Sequence, residues 1–151
     1  MKLSNLLTFN LIKVGLEGDN KEKVLEEMVD LFEKDGRISS KEEFYHKILE
    51  REAAGTTGMG RGVAIPHGKS EVVKELSFAM GISKKGVDFD SRDNRPVQIF
   101  FMIADFAGQS SGYLNLLSQI STLIRKEEFR KEILKVENKD EVIDIIKKYE
   151  Q

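Results

Sequence analysis

The sequence contains no cysteine and no tryptophan, and it has only two prolines and two histidines among its 151 residues. The absence of cysteine excludes disulfide bonds, a thiolate nucleophile and a cysteine-ligated zinc site. Two histidines without clustered carboxylates argue against a zinc or iron centre, and we expect no cofactor. No apolar run approaches the ~20 residues that span a bilayer, and residues 1–5 lack the apolar core of a signal peptide. We therefore expect a cytoplasmic protein without membrane insertion.

Charge of neither sign predominates. The chain has 24 basic and 26 acidic residues and a net charge of −2, so nucleic acid is a poor hypothesis for its main partner. Its 40% hydrophobic and 33% charged residues are typical of a globular protein. The length suits one domain, residues 1–151, with a real core. A start methionine and a charged C-terminal end favour a free-standing domain.

Hydrophobic spacing predicts an α/β fold. Cap patterns start helices at Asp19–Glu22, Ser40–Glu43 and Asn138–Glu141, and Gly36 ends the first of them. Further helical spacing occurs at 3–7, 114–124 and 129–134. Strands are predicted at 11–14, 63–65, 76–83, 87–89 and 97–104. Turns or loops are predicted at 84–86, 90–96 and 105–112. The nearly continuous apolar run 97–104 predicts a central strand covered on both faces. The order is no clean βαβ alternation, which favours a single domain with a mixed β-sheet flanked by helices on both faces.

Two helix faces follow from the same spacing. In the helix after Ser40, one face carries Phe44, Ile48 and Arg51, and an adjacent face carries Tyr45, Leu49 and Glu52. The helix near 114–124 is expected to pack through its leucines and isoleucines, which are Leu114, Leu117, Ile120, Leu123 and Ile124.

The stretch from Thr56 to Ser70 is the most informative in the chain. Gly58, Gly60 and Gly62 alternate there, so the backbone can adopt positive φ and approach a neighbour closely. These glycines match neither the G-x-G-x-x-G nor the G-x-x-x-x-G-K-[ST] nucleotide pattern. A short strand at 63–65 should stop at Pro66. His67 would then lie on a strand-end loop, where it is both positioned and accessible.

His67 is the candidate nucleophile. A neutral imidazole can attack phosphorus through one ring nitrogen while the other donates to a backbone carbonyl. Phosphoryl transfer also needs charge neutralisation, which backbone N–H groups of the glycine-rich loop and a nearby arginine can supply. Arg51 at a helix end is favoured over Arg61 in the loop. The alternatives are that His67 has a structural role and that Arg51 is a solvated cation, which interacts favourably with the dipole at the helix end. His46, on a charged helix, is expected to face solvent.

The run Thr57-Gly58-Met59-Gly60-Arg61-Gly62-Val63-Ala64-Ile65-Pro66-His67 resembles the active-site motif of enzyme IIA domains of the fructose/mannitol class. These domains belong to the bacterial phosphoenolpyruvate-dependent sugar phosphotransferase system, and the class includes the nitrogen-regulatory IIA proteins. Arg51 before the loop and the Leu114–Ser121 segment extend the resemblance over nearly the whole chain. The resemblance implies a mixed sheet with helices on both faces. It assigns supporting roles in the loop to Thr57, Gly58, Gly60, Gly62 and Pro66.

The resemblance also implies partners. His67 would accept a phosphoryl group from phospho-HPr, or an HPr-like domain, and pass it to a IIB domain for sugar uptake. Such protein-to-protein exchange implies an exposed apolar dish, for which Met59 and Ile65 are the expected walls. Many members carry a second histidine where this chain has Tyr113, a candidate second-site residue that hydrogen-bonds but has no positive charge at neutral pH.

Three interpretations follow from this departure. The first is a phosphocarrier in sugar uptake. The second is a regulatory module whose His67 phosphorylation state controls protein partners. The third is a remnant domain that is never phosphorylated and binds a ligand in the same place. The sequence names neither the sugar nor the oligomeric state.

Overall fold

The computed structural model describes residues 2–108 and 111–150, and these form six helices and six strands within one α/β domain. The elements are α1 (Leu3–Leu6), a 3₁₀ helix (Phe9–Leu11), β1 (Ile12–Val14), α2 (Lys21–Lys34), α3 (Lys41–Ala53), β2 (Gly58–Gly60), β3 (Val63–Ala64), β4 (His67–Ser70), β5 (Ser77–Val87), β6 (Val97–Phe106), α4 (Ser111–Ile124), α5 (Glu127–Ile133) and α6 (Lys139–Tyr149). None of the helices in this described part is long and apolar enough to cross a bilayer.

One mixed sheet has the strand order β1-β5-β6-β3-β2, and β4 also pairs with β6. β6 runs antiparallel to β5 and parallel to both β3 and β4. Helices cover both of its faces. On one face a Cβ added to Gly81, the partner of Phe100, would meet Met28 of α2 at 2.5 Å. On the other, Phe101 contacts Phe129 of α5. The predicted mixed sheet and its central apolar strand are confirmed.

Side-chain caps begin three of the helices. Ser40 Oγ accepts from the Glu43 N–H at 3.2 Å, and Asn138 Oδ1 accepts from the Glu141 N–H at 2.9 Å, as predicted. The predicted cap at Asp19 is wrong by one residue, because Asn20 is the extended N-cap residue and accepts from the Lys23 N–H at 2.9 Å. Both residue types cap well, so the sequence pattern alone could not separate them.

Three predicted connections differ from the structure. The predicted turn 84–86 is an irregularity inside β5, where pairing with β6 breaks between Ile82 and Val87. At this irregularity Gly86 has a φ of 80°, and Lys84 Nζ binds the carbonyls of Leu134 and Val136, each at 2.7 Å. The predicted strand 87–89 keeps only its first residue. The predicted loop 105–112 shrinks, since β6 continues to residue 106 and α4 starts at 111; residues 109 and 110 lie outside the described part.

Two predicted helix faces are also corrected. The buried residues of α4 are Leu116, Ile120 and Leu123, whereas Leu114 is 69% exposed. In α3 the residue buried with Phe44 and Ile48 is Glu52, and Arg51 is only half-buried. The packed face of α3 therefore carries Glu52 in place of the predicted Arg51. The Glu52 carboxylate has buried partners in Thr57 and Lys21.

Candidate active site

His67 is the first residue of β4 and not part of a loop, which corrects the prediction. β3 ends at Ala64, yet pairing with β6 resumes at His67 in the same register, from Ala64 beside Phe100 to His67 beside Ile103. Pro66 interrupts the strand, but its carbonyl accepts from the Ile103 N–H at 2.9 Å. The imidazole is therefore carried by the sheet itself and held more firmly than a loop would hold it.

Both nitrogens of the His67 ring have partners. Nδ1 lies 3.0 Å from the Ile65 carbonyl oxygen, and the Arg51 Nε–H donates to Nε2 at 3.1 Å. A carbonyl only accepts and a guanidinium only donates, so the two bonds require the hydrogen to be on Nδ1. This tautomer leaves the lone pair on Nε2, directed at the arginine.

Burial lowers the pKa of His67 below its ordinary value of 6.5. The bond to the Ile65 carbonyl opposes this shift, the positive charges of Arg51 and Lys69 add to it, and Glu52 raises the pKa again. The imidazole is thus neutral at pH 7, which is the protonation state of a nucleophile.

Arg51 lies in the last turn of α3, where its Nη1 donates to the Gly55 carbonyl at 2.8 Å. This second bond fixes the guanidinium beside His67. The competing Arg61 lines two other depressions of the surface and not the one around His67. The structure therefore brings together His67 and Arg51, as the sequence favoured.

Glu52 is a structural partner that sequence analysis missed. Its carboxylate accepts from the Thr57 N–H at 3.2 Å and from the Thr57 hydroxyl, and it pairs with Lys21 Nζ at 2.9 Å. Thr57 is buried with it. Glu52 follows Ile48 by four residues, and this helical spacing was the available signal that it faces inward.

The three alternating glycines shape a hairpin. A Cβ on Gly58 would lie 2.9 Å from the Ser91 backbone. Arg61 and Gly62 have φ of 59° and 80° and connect β2 to β3 as a two-residue turn. None of the three glycines lines the depression around His67, and the Gly58 N–H is already bound by the Thr56 hydroxyl at 3.0 Å. The expected cradle of loop N–H groups is therefore not seen at His67.

His67 lies in a shallow depression of about 490 Å³. Its other lining residues are mostly polar or charged: Lys47, Glu50, Arg51, Ala54, Gly68, Lys69 and Tyr113. The predicted apolar walls are wrong, since Ile65 is buried and Met59 lines a different depression. The depression offers the cations of Arg51 and Lys69 to a charged group, beside exposed apolar side-chain carbon atoms.

Tyr113 lies in the first turn of α4 with its ring centroid 6.0 Å from that of His67. Lys69 Nζ lies 5.1 Å from the centre of the tyrosine ring, so a cation is also present. Burial raises the pKa of Tyr113 above its ordinary value of 10.0, and its phenol is neutral at pH 7. His46 is exposed and faces Glu50 at 3.6 Å, as expected.

No group of three or more histidine, aspartate or glutamate side chains could hold a metal ion in residues 2–108 and 111–150. The site offers a neutral imidazole, a fixed guanidinium and an open approach. That combination can transfer an anionic group through nitrogen.

Residues 5–149 match the family model of the phosphoenolpyruvate-dependent sugar phosphotransferase system, EIIA 2. The chain belongs to this EIIA family. It is 33% identical over 144 residues to the fructose-specific EIIA component of Haloferax volcanii, covering 95% of this chain and 94% of that protein. It is 41% identical over 151 residues to the fructose-specific EIIABC component of Bacillus subtilis, of which it spans only 24%.

Solved structures agree with this EIIA assignment. The nitrogen regulatory protein IIA-Ntr of Neisseria meningitidis superposes with a TM-score of 0.87 at 28% identity, over 95% of this chain and 97% of that one. The mannitol IIA of Escherichia coli, in complex with phosphorylated mannitol IIB, gives a TM-score of 0.80 at 18% identity, over 95% and 99%. At that identity the second match shows the fold alone.

Proposed function

We propose that this EIIA protein is a phosphocarrier that accepts a phosphoryl group on His67 Nε2 from phospho-HPr and passes it to a fructose-class IIB domain. The observation that carries the proposal is the pair of bonds on the imidazole, from Nδ1 to the Ile65 carbonyl and from Arg51 to Nε2. The fructose-specific relatives support the sugar class, and the fold shared with mannitol IIA in its IIB complex supports the second partner.

The proposed step needs no added acid or base. The Nε2 lone pair attacks phosphorus, the N–P bond to the donor histidine breaks, and the donor imidazole keeps the electron pair. The hydrogen on Nδ1 remains there, and the Ile65 carbonyl stabilises the positive charge that the ring gains. The reverse sequence delivers the phosphoryl group to an acceptor.

Arg51 has two roles in this scheme. Before transfer its Nε–H occupies the Nε2 lone pair at 3.1 Å, so the guanidinium must release the ring as phosphorus approaches. Its bond to the Gly55 carbonyl keeps it within reach, and its N–H groups then bind the phosphoryl oxygens. Lys69, beside Tyr113, adds positive charge near the imidazole and, like Arg51, lowers the pKa of His67.

A regulatory role is the second candidate, and Tyr113 favours it. A neutral phenol stands where many family members have a second histidine, which would weaken the charge compensation for onward transfer. The chain is also 30% identical over 149 residues to a nitrogen regulatory protein of Klebsiella oxytoca, covering 97% and 90% of the two chains. In this role a dianionic phosphoryl group on His67 would change which proteins bind.

The test is phosphorylation of the purified chain with phosphoenolpyruvate, enzyme I and HPr, followed by intact mass measurement. We expect one acid-labile phosphoryl group on the wild type and none on His67→Ala. His46→Ala is the matched control and should be phosphorylated like the wild type, because its exposed ring faces Glu50 and does not line the depression around His67. No phosphorylation of the wild type, or equal losses in both variants, would overturn the proposal.

Onward transfer separates the two roles. The phosphorylated chain is mixed with a fructose-class IIB domain, and the loss of its phosphoryl group is followed over time. Rapid loss to IIB supports the sugar phosphocarrier. A stable phosphorylated form supports the regulatory module, and Tyr113→His should then accelerate transfer to IIB.

A further inference from the structure

A group of cationic side chains lies at a distance from His67 along the sheet. The Gly62 carbonyl accepts from the Gln98 and Ile99 N–H groups at 2.9 and 3.0 Å, which places the β2–β3 turn beside the start of β6. His67 pairs with Ile103, nearer the other end of that strand. We call the cations near the turn the Arg61 cluster: Arg61, Lys85, Arg95, Arg125 and Arg130.

Two depressions meet at Arg61. One, of about 460 Å³, is lined by Arg61, Lys85, Arg95 and Arg130. The other, of about 470 Å³, has an apolar wall of Met59, Val63 and Ile124 beside Arg61 and Arg125. No aspartate or glutamate lines either depression.

The cations of the Arg61 cluster form no close ion pairs within residues 2–108 and 111–150, although the charges of Arg95 and Arg130 act at longer range on the carboxylates of Asp93 and Glu127. In the part of the chain that the structure describes, no carboxylate lies within 4.0 Å of their charged nitrogens. Lys85, Arg125 and Arg130 instead donate to neutral main-chain carbonyls, as Arg130 does to Ile124 at 2.6 Å. The carboxylate of Asp93 binds the main-chain N–H groups of Arg61 and Arg95, at 2.9 and 3.1 Å.

Arg61 occupies a turn position at which arginine is not a preferred residue type. Its φ of 59° and the 80° of Gly62 make a type I′ turn, whose first central position prefers Asn, Asp or Gly. Asp93 holds this strained backbone in place. A strained residue that puts a guanidinium where two depressions meet points to binding rather than to turn formation.

We propose that the Arg61 cluster binds a small organic polyphosphate of the chemical class of the nucleoside diphosphates. The phosphate groups lie against Arg61, Arg95 and Arg130, whose guanidinium groups can bind phosphate oxygens in pairs. The ring body packs on Met59 and Ile124. The size of each depression suits such a ligand. The inference does not rest on His67 or on the proposed phosphocarrier role.

The test is isothermal titration calorimetry, in which ADP, pyrophosphate and adenosine are each titrated into the full chain. We expect ADP to bind most tightly, pyrophosphate more weakly, and adenosine not at all, and added salt should weaken the first two. Arg61→Asn removes the cation and places a residue type that the turn prefers, so we expect the turn to be kept and a loss of binding to report on the missing guanidinium. We expect it, and Arg95→Gln, to weaken ADP binding about tenfold or more.

Lys23→Gln is the charge-matched control, because Lys23 is exposed at the start of α2, pairs with Asp19 and lies outside the Arg61 cluster. It should leave ADP binding unchanged. ADP affinity that is equal in wild type, Arg61→Asn and Arg95→Gln would overturn the proposal, as would no heat from ADP or pyrophosphate. Binding of an acidic peptide without binding of ADP would overturn it too, and would make the cluster a protein-docking surface.

Discussion

At the scale of single residues, His67 and Arg51 form a pair in which each fixes the other. The guanidinium defines which ring nitrogen is free of hydrogen, and the half-buried ring keeps the guanidinium near the surface depression. The sequence predicted this pair from the place of His67 after the glycine-rich run and from the position of Arg51 at a helix end, and the family resemblance covers both residues. It could not predict Glu52 as a partner, since the contacts of Glu52 with Lys21 and Thr57 depend on how α2 and the loop approach α3.

Arg51→Ala should slow phosphorylation of the chain by phospho-HPr about a hundredfold or more, because charge on the transferring group would lose its fixed donor. The rate is measured by quenched-flow mixing and intact mass. Arg61→Asn removes one positive charge elsewhere and should leave the rate unchanged. Arg51→Lys should recover only part of the rate, since an ammonium has no planar fork. A wild-type rate in Arg51→Ala would assign the arginine a structural role only.

At the scale of elements, Glu52 connects α3, α2 and the loop that leads to β2. Glu52 is 8% exposed, and its carboxylate binds both Lys21 and Thr57. Glu52→Gln keeps an oxygen for Thr57 but leaves Lys21 without its counter-charge. We expect a loss of about 1–3 kcal/mol in the free energy of unfolding, measured by urea denaturation.

Glu50→Gln is the control for this prediction, because Glu50 lies in the same helix but is 60% exposed in its side chain. Its effect should stay within about 0.5 kcal/mol. Equal unfolding midpoints for the two variants would show that the Glu52 contacts do not stabilise the connection between the elements.

Local features of the elements could be predicted from the sequence, whereas features that depend on contacts between distant residues could not. Ser40 and Asn138 were predictable caps because cap chemistry is local. The continuation of β5 through Lys84 and Gly86 was not, since it goes with contacts to distant residues, such as the bonds of Lys84 to the carbonyls of Leu134 and Val136. Likewise, Pro66 predicts an interruption, but only the pairing with β6 shows that the strand resumes at His67.

At the scale of the whole molecule, the sheet separates two charged regions. His67 and Arg51 lie beside the later part of β6, and the Arg61 cluster lies beside its start. A nearly neutral net charge of −2 therefore hides an uneven distribution. Composition argued correctly against a strongly basic protein, but it could not reveal a local basic surface, because that surface is assembled from the β2–β3 turn, β5, the β5–β6 loop, the end of α4 and α5.

Stability of the whole molecule should depend on pH through His67. Its pKa is lowered by burial below the 6.5 expected when unfolded, so the unfolded chain binds a proton first as pH falls. The free energy of unfolding should therefore be at its full value above pH 6.5. It should decline as pH falls below 6.5 and through the pKa of His67 in the folded protein. Urea denaturation from about pH 8 to about pH 5 tests this. His67→Gln should lack the contribution of His67 to this decline, so its curve should fall less than that of the wild type over the same window; parallel curves would contradict the lowered pKa.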